Sequence, residues 1–186
     1  MRTAAAAVVL LCTVMLLSCG TPPKSPDSDQ ARLPVRIVEL PEATHLSRAH
    51  VGSYEESGEN FGAFMEFIGA HGIIPQGDLM GVLLDDPSRT PHGQCRYEVR
   101  IPVLPGTQVP APYEVKTVPP ATTAAVVLLG DYPEIAKRYG EIYEWIDANG
   151  WEPAGPIMEI YLVHPGSGVP PDQYETEVHI PVLPAK

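Results

Sequence analysis

The chain has 186 residues, with 12 Lys and Arg against 23 Asp and Glu, and 22 prolines. That length means one domain, or two small ones sharing a core. A hydrophobic content of 44% excludes a disordered acidic tail, and a net charge of −11 argues against nucleic-acid binding, which needs a basic surface to neutralise phosphate. The acidic balance points to neutral or cationic partners.

In chain order, residues 1–18 read as a lipoprotein signal peptide. Arg2 precedes an apolar run from Ala4 to Leu17. The run is shorter than the ~20 residues that span a bilayer and matches a signal-peptide core. It ends in Leu16-Leu17-Ser18-Cys19, which resembles the bacterial lipobox. The resemblance implies cleavage before Cys19, lipidation (palmitate among the acyl chains) of its thiol, and export to the bacterial cell envelope on a membrane anchor. Residues 19–32 then carry the lipid and a flexible tether, since Thr21–Arg32 (TPPKSPDSDQAR) holds three prolines and no apolar residue beyond alanine. Cys12 leaves with the signal and Cys19 takes lipid. Cys95 is therefore alone in residues 33–186, with no intramolecular disulfide available.

Residues 33–186 are written twice. VRIVELPEAT (35–44) aligns with YEVKTVPPAT (113–122) at an offset of 78. The same offset pairs Tyr54 with Tyr132, Phe61 with Tyr139, Phe64 with Ile142, Phe67 with Trp145, Gly72 with Gly150 and Met80 with Met158. One inserted residue makes the offset 79, which pairs Glu98–Pro105 with Glu177–Pro184. The copies span 33–106 and 111–184. Many of the prolines fall at matching seams, such as Pro41 and Pro119, or Pro102 and Pro181, where each punctuates a strand or loop.

Each copy predicts β-α-β-β with its first strand bent. In the second, Tyr113–Val118 and Thr122–Leu129 are extended, with Pro119-Pro120 at the bend. Asp131 caps a helix carrying Ile135, Tyr139, Ile142 and Ile146, which Gly150 ends. Met158–Val163 and Glu175–Val182 are strands. In the first copy Ser57 and Gly58 sit in the first turn, so that helix starts late. A copy of about 75 residues has a thin core alone, and two copies can merge their sheets.

The order Gly130-x-Tyr132, a helix ending before Gly150, a Gly155-to-Tyr161 strand and a closing Glu177-x-x-Ile180-Pro181-Val182 resembles the GyrI-like effector-binding domain. That is the small-molecule-sensing half of certain bacterial regulators, in the superfamily that includes SOUL haem-associated proteins. The resemblance covers residues 33–184. It implies an α+β fold of tandem duplicated β-α-β-β units: a pseudo-two-fold antiparallel sheet, two helices and a central cleft lined by aromatics and one acidic residue.

Alternation on the last strand of each copy places Glu98 with Arg100, and Glu177 with His179, on the face opposite the apolar core positions. Taken from the residues alone, that is a solvated face or a cleft. The resemblance assigns the cleft glutamate to Glu177, the cleft tyrosine to Tyr161 and an aromatic near the ligand to Tyr54. From the residues, Trp145 is either a cleft wall or a buried aromatic, His179 shares the Glu177 face, and Glu98 is the first-copy counterpart of Glu177. Leu83 replaces Tyr161 in the first copy, and Arg100 can neutralise Glu98, so one site per chain is expected. No metal-ligand spacing, nucleophile elbow, phosphate loop or dinucleotide fingerprint is present, and no cofactor is expected.

The expected function is a membrane-anchored module holding a hydrophobic ring compound, optionally cationic. A regulator is disfavoured, because no DNA-binding segment precedes the domain and export removes it from the chromosome. The alternatives are a hydrolase of strained or electrophilic molecules using Glu177 and Tyr161 as acid and base, and a tetrapyrrole carrier. A monomer is compatible with all three.

Overall fold

The computed structural model describes residues 35–186 except 56, 87 and 88. The signal, Cys19 and the tether therefore lie outside the described residues.

Copy one supplies strands β1 (Arg36–Leu40) and β2 (Ala43–Val51), helix α1 (Gly58–Ala70), and strands β3 (Met80–Leu83) and β4 (Arg96–Pro102). Copy two supplies β5 (Glu114–Val118), β6 (Ala121–Leu129), α2 (Tyr132–Ala136), α3 (Tyr139–Ala148), β7 (Trp151–Pro153), β8 (Ile157–Val163) and β9 (Glu175–Pro184). The strands form one antiparallel sheet in the order β1-β6-β9-β8-β3-β4-β2-β5, with β7 paired to the end of β9.

The bent first strand of each copy is two strands with different partners. Pro41 and the Pro119-Pro120 pair lack amide donors, so the ladder stops there and the chain resumes against a new neighbour. β1 leaves its own copy to pair with β6, Arg36 opposite Ala125. Reciprocally, β5 pairs with β2, Glu114 opposite Ser47. These registers are equivalent under the 78-residue offset, so the exchange obeys the pseudo-two-fold.

The two copies also join directly through β3 and β8. Met80 pairs Ile160 and Val82 pairs Met158, which are symmetry-related contacts, and between them Gly81 faces its own equivalent, Glu159. The pseudo-two-fold axis runs between those two residues.

Both helices cover one face of the sheet. In α3, Ile142 and Ile146 lie one turn apart and are buried with Ile135, Val178, Ile180 and Val182. In α1, Phe64 and Ile68 do the same against Leu46, Tyr97, Val99 and Ile101. Each core also recruits residues from the exchanged strand: Ile37 packs on the copy-two core, Tyr113 and Val115 on the copy-one core. Gly72 and Gly150 follow the two helices with positive φ of 61° and 75°, the backbone that a helix stop requires.

Two details differ from the sequence reading. The copy-two helix comes in two pieces, which lets Ile135 bury fully while Tyr139 opens a second helix. The short strand β7 adds a pairing that its three residues, two of them exposed, did not announce. The helix starts agree with it. Asp131 accepts from the Tyr132 amide at 2.9 Å and so caps the first piece, and α1 begins at Gly58, late as expected.

Candidate functional site

A cavity of about 880 Å³ opens between the helices. Tyr54 and Phe61 wall it on the copy-one side, and Tyr132, Tyr139 and Tyr143 on the copy-two side. Leu83, Glu159 and Tyr161 come from the two central strands beneath. The rings pack edge to face: Phe61 and Tyr132 meet Tyr161 at 5.2 and 5.4 Å, and Tyr54 meets Tyr97 at 5.6 Å.

Glu159 is the carboxylate of this cavity. Its register opposite Val178 puts it on the helix-covered face, and only 7% of it is exposed. One oxygen accepts a hydrogen bond from the Tyr139 hydroxyl and the other from Tyr161 at 2.7 Å. Burial raises its pKa, and the two tyrosine hydrogen bonds only partly oppose that. Burial, with Glu159 nearby, also pushes the Tyr161, Tyr139 and Tyr132 hydroxyls upward, so they remain neutral donors. Among the described residues no Lys or Arg hydrogen-bonds to Glu159. Lys137, at the cavity rim, is held by Glu134 at 2.5 Å, and Asp85, also at the rim, is gripped by Arg96 at 2.8 and 2.9 Å.

Tyr161 and Tyr54 lie in the cavity wall. The Tyr54 hydroxyl lies 2.8 Å from the Asp85 carbonyl and 2.9 Å from that of Arg96, which ties the start of the copy-one helix region to the rim. Three other expectations about cleft residues are corrected. Glu177 faces away from the helices, opposite Val127 and Ile160, and is bound by Arg36 at 2.6 Å. His179 shares that face; its Nδ1 lies 2.9 Å from Thr123 Oγ1, and burial lowers its pKa. Glu98 is the pseudo-symmetric counterpart of Glu177. Burial would raise its pKa, but hydrogen bonds from Arg100, Lys116 and Ser47 outweigh that and hold it at about 2. Of the two places open to Trp145, cleft wall or core, it takes the core: it packs on the copy-two cluster, outside the cavity lining.

The physical reason is common to the strand residues. Alternation correctly separated Val178 and Ile180 from Glu177 and His179. The cleft, however, lies on the same face as the helices and the core, so the polar face of the last strand is the wrong one. Glu159 escaped because β8 reads Ile-Met-Glu-Ile-Tyr-Leu-Val: Met158, Ile160 and Leu162 make the face away from the helices apolar although it is only half-buried or exposed, so no polar alternation marks which face is covered. The available signal was its spacing: two positions before Tyr161, it shares the tyrosine's face. Tyr139 lies on the apolar stripe of its helix, and its hydroxyl nonetheless reaches Glu159 in the cavity. Among the described residues no cluster of His, Cys, Asp and Glu is disposed to hold a metal ion.

Residues 33–183 match the GyrI-like small molecule binding domain family. YosT, an SPbeta prophage-derived protein of Bacillus subtilis, is 28% identical over 130 residues, covering 68% of this chain and 87% of YosT. Among solved structures, the EcmrR C-terminal domain superposes with a TM-score of 0.74 at 15% identity, over 83% of this chain and 99% of that one. SAV2435 bound to tetraphenylphosphonium gives a TM-score of 0.51 at 15% identity, over 81% and 94% respectively. The duplicated sheet, the paired helices and the small-molecule-sized cavity between them thus belong to a chain that is a member of the GyrI-like small-molecule-binding domain family.

Proposed function

We propose that this domain binds a lipophilic organic cation in the cavity between its copies, with Glu159 as the counter-charge. The observation that carries this reading is a buried carboxylate held only by tyrosine hydroxyls, inside aromatic walls, with no basic partner among the described residues. Such a group is costly to ionise unless a positive charge arrives. The surrounding ring faces favour a soft, delocalised cation that sheds its water easily. The fold shared with SAV2435, a protein seen with tetraphenylphosphonium, supports the same class of ligand. Calorimetry with tetraphenylphosphonium and its anionic counterpart tetraphenylborate tests it. Binding of the cation is expected with a dissociation constant on the order of 10 µM, and none of the anion. Equal affinity for both, or none for either, overturns the reading.

We infer further that the chain is lipidated at Cys19 and held at a membrane through the tether of residues 20–32. The apolar run from Ala4 to Leu17 and the Leu16-Leu17-Ser18-Cys19 sequence support this. No helix among the described residues is long and apolar enough to cross a membrane. Cys19→Ala is expected to abolish incorporation of labelled palmitate into the protein. Labelling of the variant equal to that of the wild type overturns the anchor.

A further inference from the structure

Gly81 and Glu159 occupy equivalent positions in the two copies, yet one has no side chain and the other is a buried acid. On a symmetry axis, equivalent residues confront each other, so two glutamates would bring two buried carboxylates together, which like-charge repulsion opposes. The empty position is occupied instead by another residue's hydroxyl. A Cβ at position 81 would stand 2.6 Å from the Tyr161 hydroxyl oxygen and 3.3 Å from Cζ of Phe61. The same hydroxyl donates to Glu159 Oε2 at 2.7 Å. Tyr161 thus reaches over β3 through a notch only glycine leaves open, and its hydroxyl donates a hydrogen bond back to the acid across the axis. The asymmetry is matched one step along, where Leu83 stands in place of a second tyrosine.

Building on the cation-binding reading, we propose that Gly81 is a positioning residue that sets the charge selectivity of the site. It keeps the on-axis notch open so that Tyr161 stabilises the ionised form of Glu159, and among the described residues it leaves the cavity one buried carboxylate, suited to a singly charged cation. A hydrogen bond to a carboxylate favours the charged form, so closing the notch weakens attraction for a cation and leaves attraction for a neutral molecule of the same shape intact. Tyr139, on the opposite wall, still donates to the other oxygen. Gly81 therefore tunes the preference and does not abolish it.

The test compares methyltriphenylphosphonium with triphenylphosphine oxide, a neutral compound of nearly the same shape. The proteins are wild type, Gly81→Ala, Tyr161→Phe and the double variant. Gly81→Ala is expected to weaken the cation about tenfold, the worth of one charge-assisted hydrogen bond, and the oxide by less than about twofold. In the Tyr161→Phe background, where the clashing oxygen is gone and the Phe61 ring at 3.3 Å is the closest neighbour, Gly81→Ala is expected to leave the cation-to-oxide ratio unchanged. An unchanged cation-to-oxide ratio in Gly81→Ala overturns the proposal, as does an equal loss for both compounds, which is packing alone.

A ligand-free readout runs beside it. Gly81→Ala lowers the melting temperature in the wild type and by much less in the Tyr161→Phe background, where the Phe61 ring is the closest neighbour left. Additive losses in the two backgrounds overturn the contact. Should Gly81→Ala fail to fold alone, folding of the double variant supports the proposal and its failure as well overturns it. A wild type that binds both compounds equally overturns the cation reading, and the melting cycle still decides whether Gly81 makes room for Tyr161.

Discussion

Glu159→Gln is expected to lose on the order of 100-fold in affinity for tetraphenylphosphonium at about pH 8, while melting higher than the wild type at that pH. Both effects have one cause. Glutamine keeps the size of the side chain and can still exchange hydrogen bonds with Tyr139 and Tyr161, but it has no charge to offer a cation. It has no charge to bury either.

The two effects depend on pH in opposite senses. Burial raises the folded-state pKa of Glu159 above its ordinary value. At acid pH the folded and unfolded chains both hold the proton, and Glu159 is neutral in each. As pH rises through the ordinary carboxyl range the unfolded chain loses its proton while the folded one keeps it, so stability falls with pH. The fall stops once pH passes the folded-state value. The Glu159→Gln variant has no such slope, so the two melting curves meet near about pH 4 and separate above it. A cation, by contrast, binds the ionised form. Its affinity rises about tenfold per pH unit while Glu159 is protonated, with about one proton released per ligand, and levels off above that. Tyr132, Tyr139 and Tyr161 face Glu159 and stay neutral throughout, so they add no slope of their own. Melting curves recorded from acid to alkaline pH, with calorimetry in two buffers of different ionisation enthalpy, check both limbs. Parallel melting curves for wild type and variant overturn the account of Glu159.

Much of the fold was legible because its signals are local. An offset of 78 residues repeats element by element, the apolar alternation of Val178 and Ile180 marks a core face, and prolines at equivalent seams mark where strands end. The exchange of β1 and β5 between copies was not legible. A proline bend says that a strand stops pairing, and nothing in the bend names the next partner. The site was half legible for a similar reason. Tyr54 and Tyr161 lie in the cavity wall, but the carboxylate was sought on the visibly polar face of β9. The acid in the cavity sits in an apolar central strand, where only its two-residue spacing from Tyr161 betrays its direction. A polar residue at a functional site breaks the pattern that sequence reading relies on, and here the break was one residue wide.

Phe64→Ala, in the copy-one core, is expected to destabilise the whole domain by about 3–5 kcal/mol. Phe64 is 1% exposed and packs among Leu46, Ile68, Tyr97 and Val99, so truncation leaves a cavity that the sheet beneath cannot close. Its copy-two equivalent, Ile142→Ala, is smaller and is expected to lose about 2–5 kcal/mol. The decisive feature is where the loss is seen. β1 belongs to copy one in sequence and to the copy-two sheet in space, β5 does the reverse, and β3 joins β8 along the axis. Neither copy can unfold without stripping a strand from the other, so one transition is expected for both. The chain's two tryptophans allow a direct check, since Trp145 and Trp151 both pack on the copy-two core. In urea, the Phe64→Ala midpoint followed by tryptophan fluorescence should fall as far as the midpoint followed by far-ultraviolet circular dichroism. A fluorescence midpoint left at its wild-type value, with a split dichroism curve, would mean that the copies unfold separately. The strand exchange would then not couple them, and the cavity between them would rest on two independently stable halves.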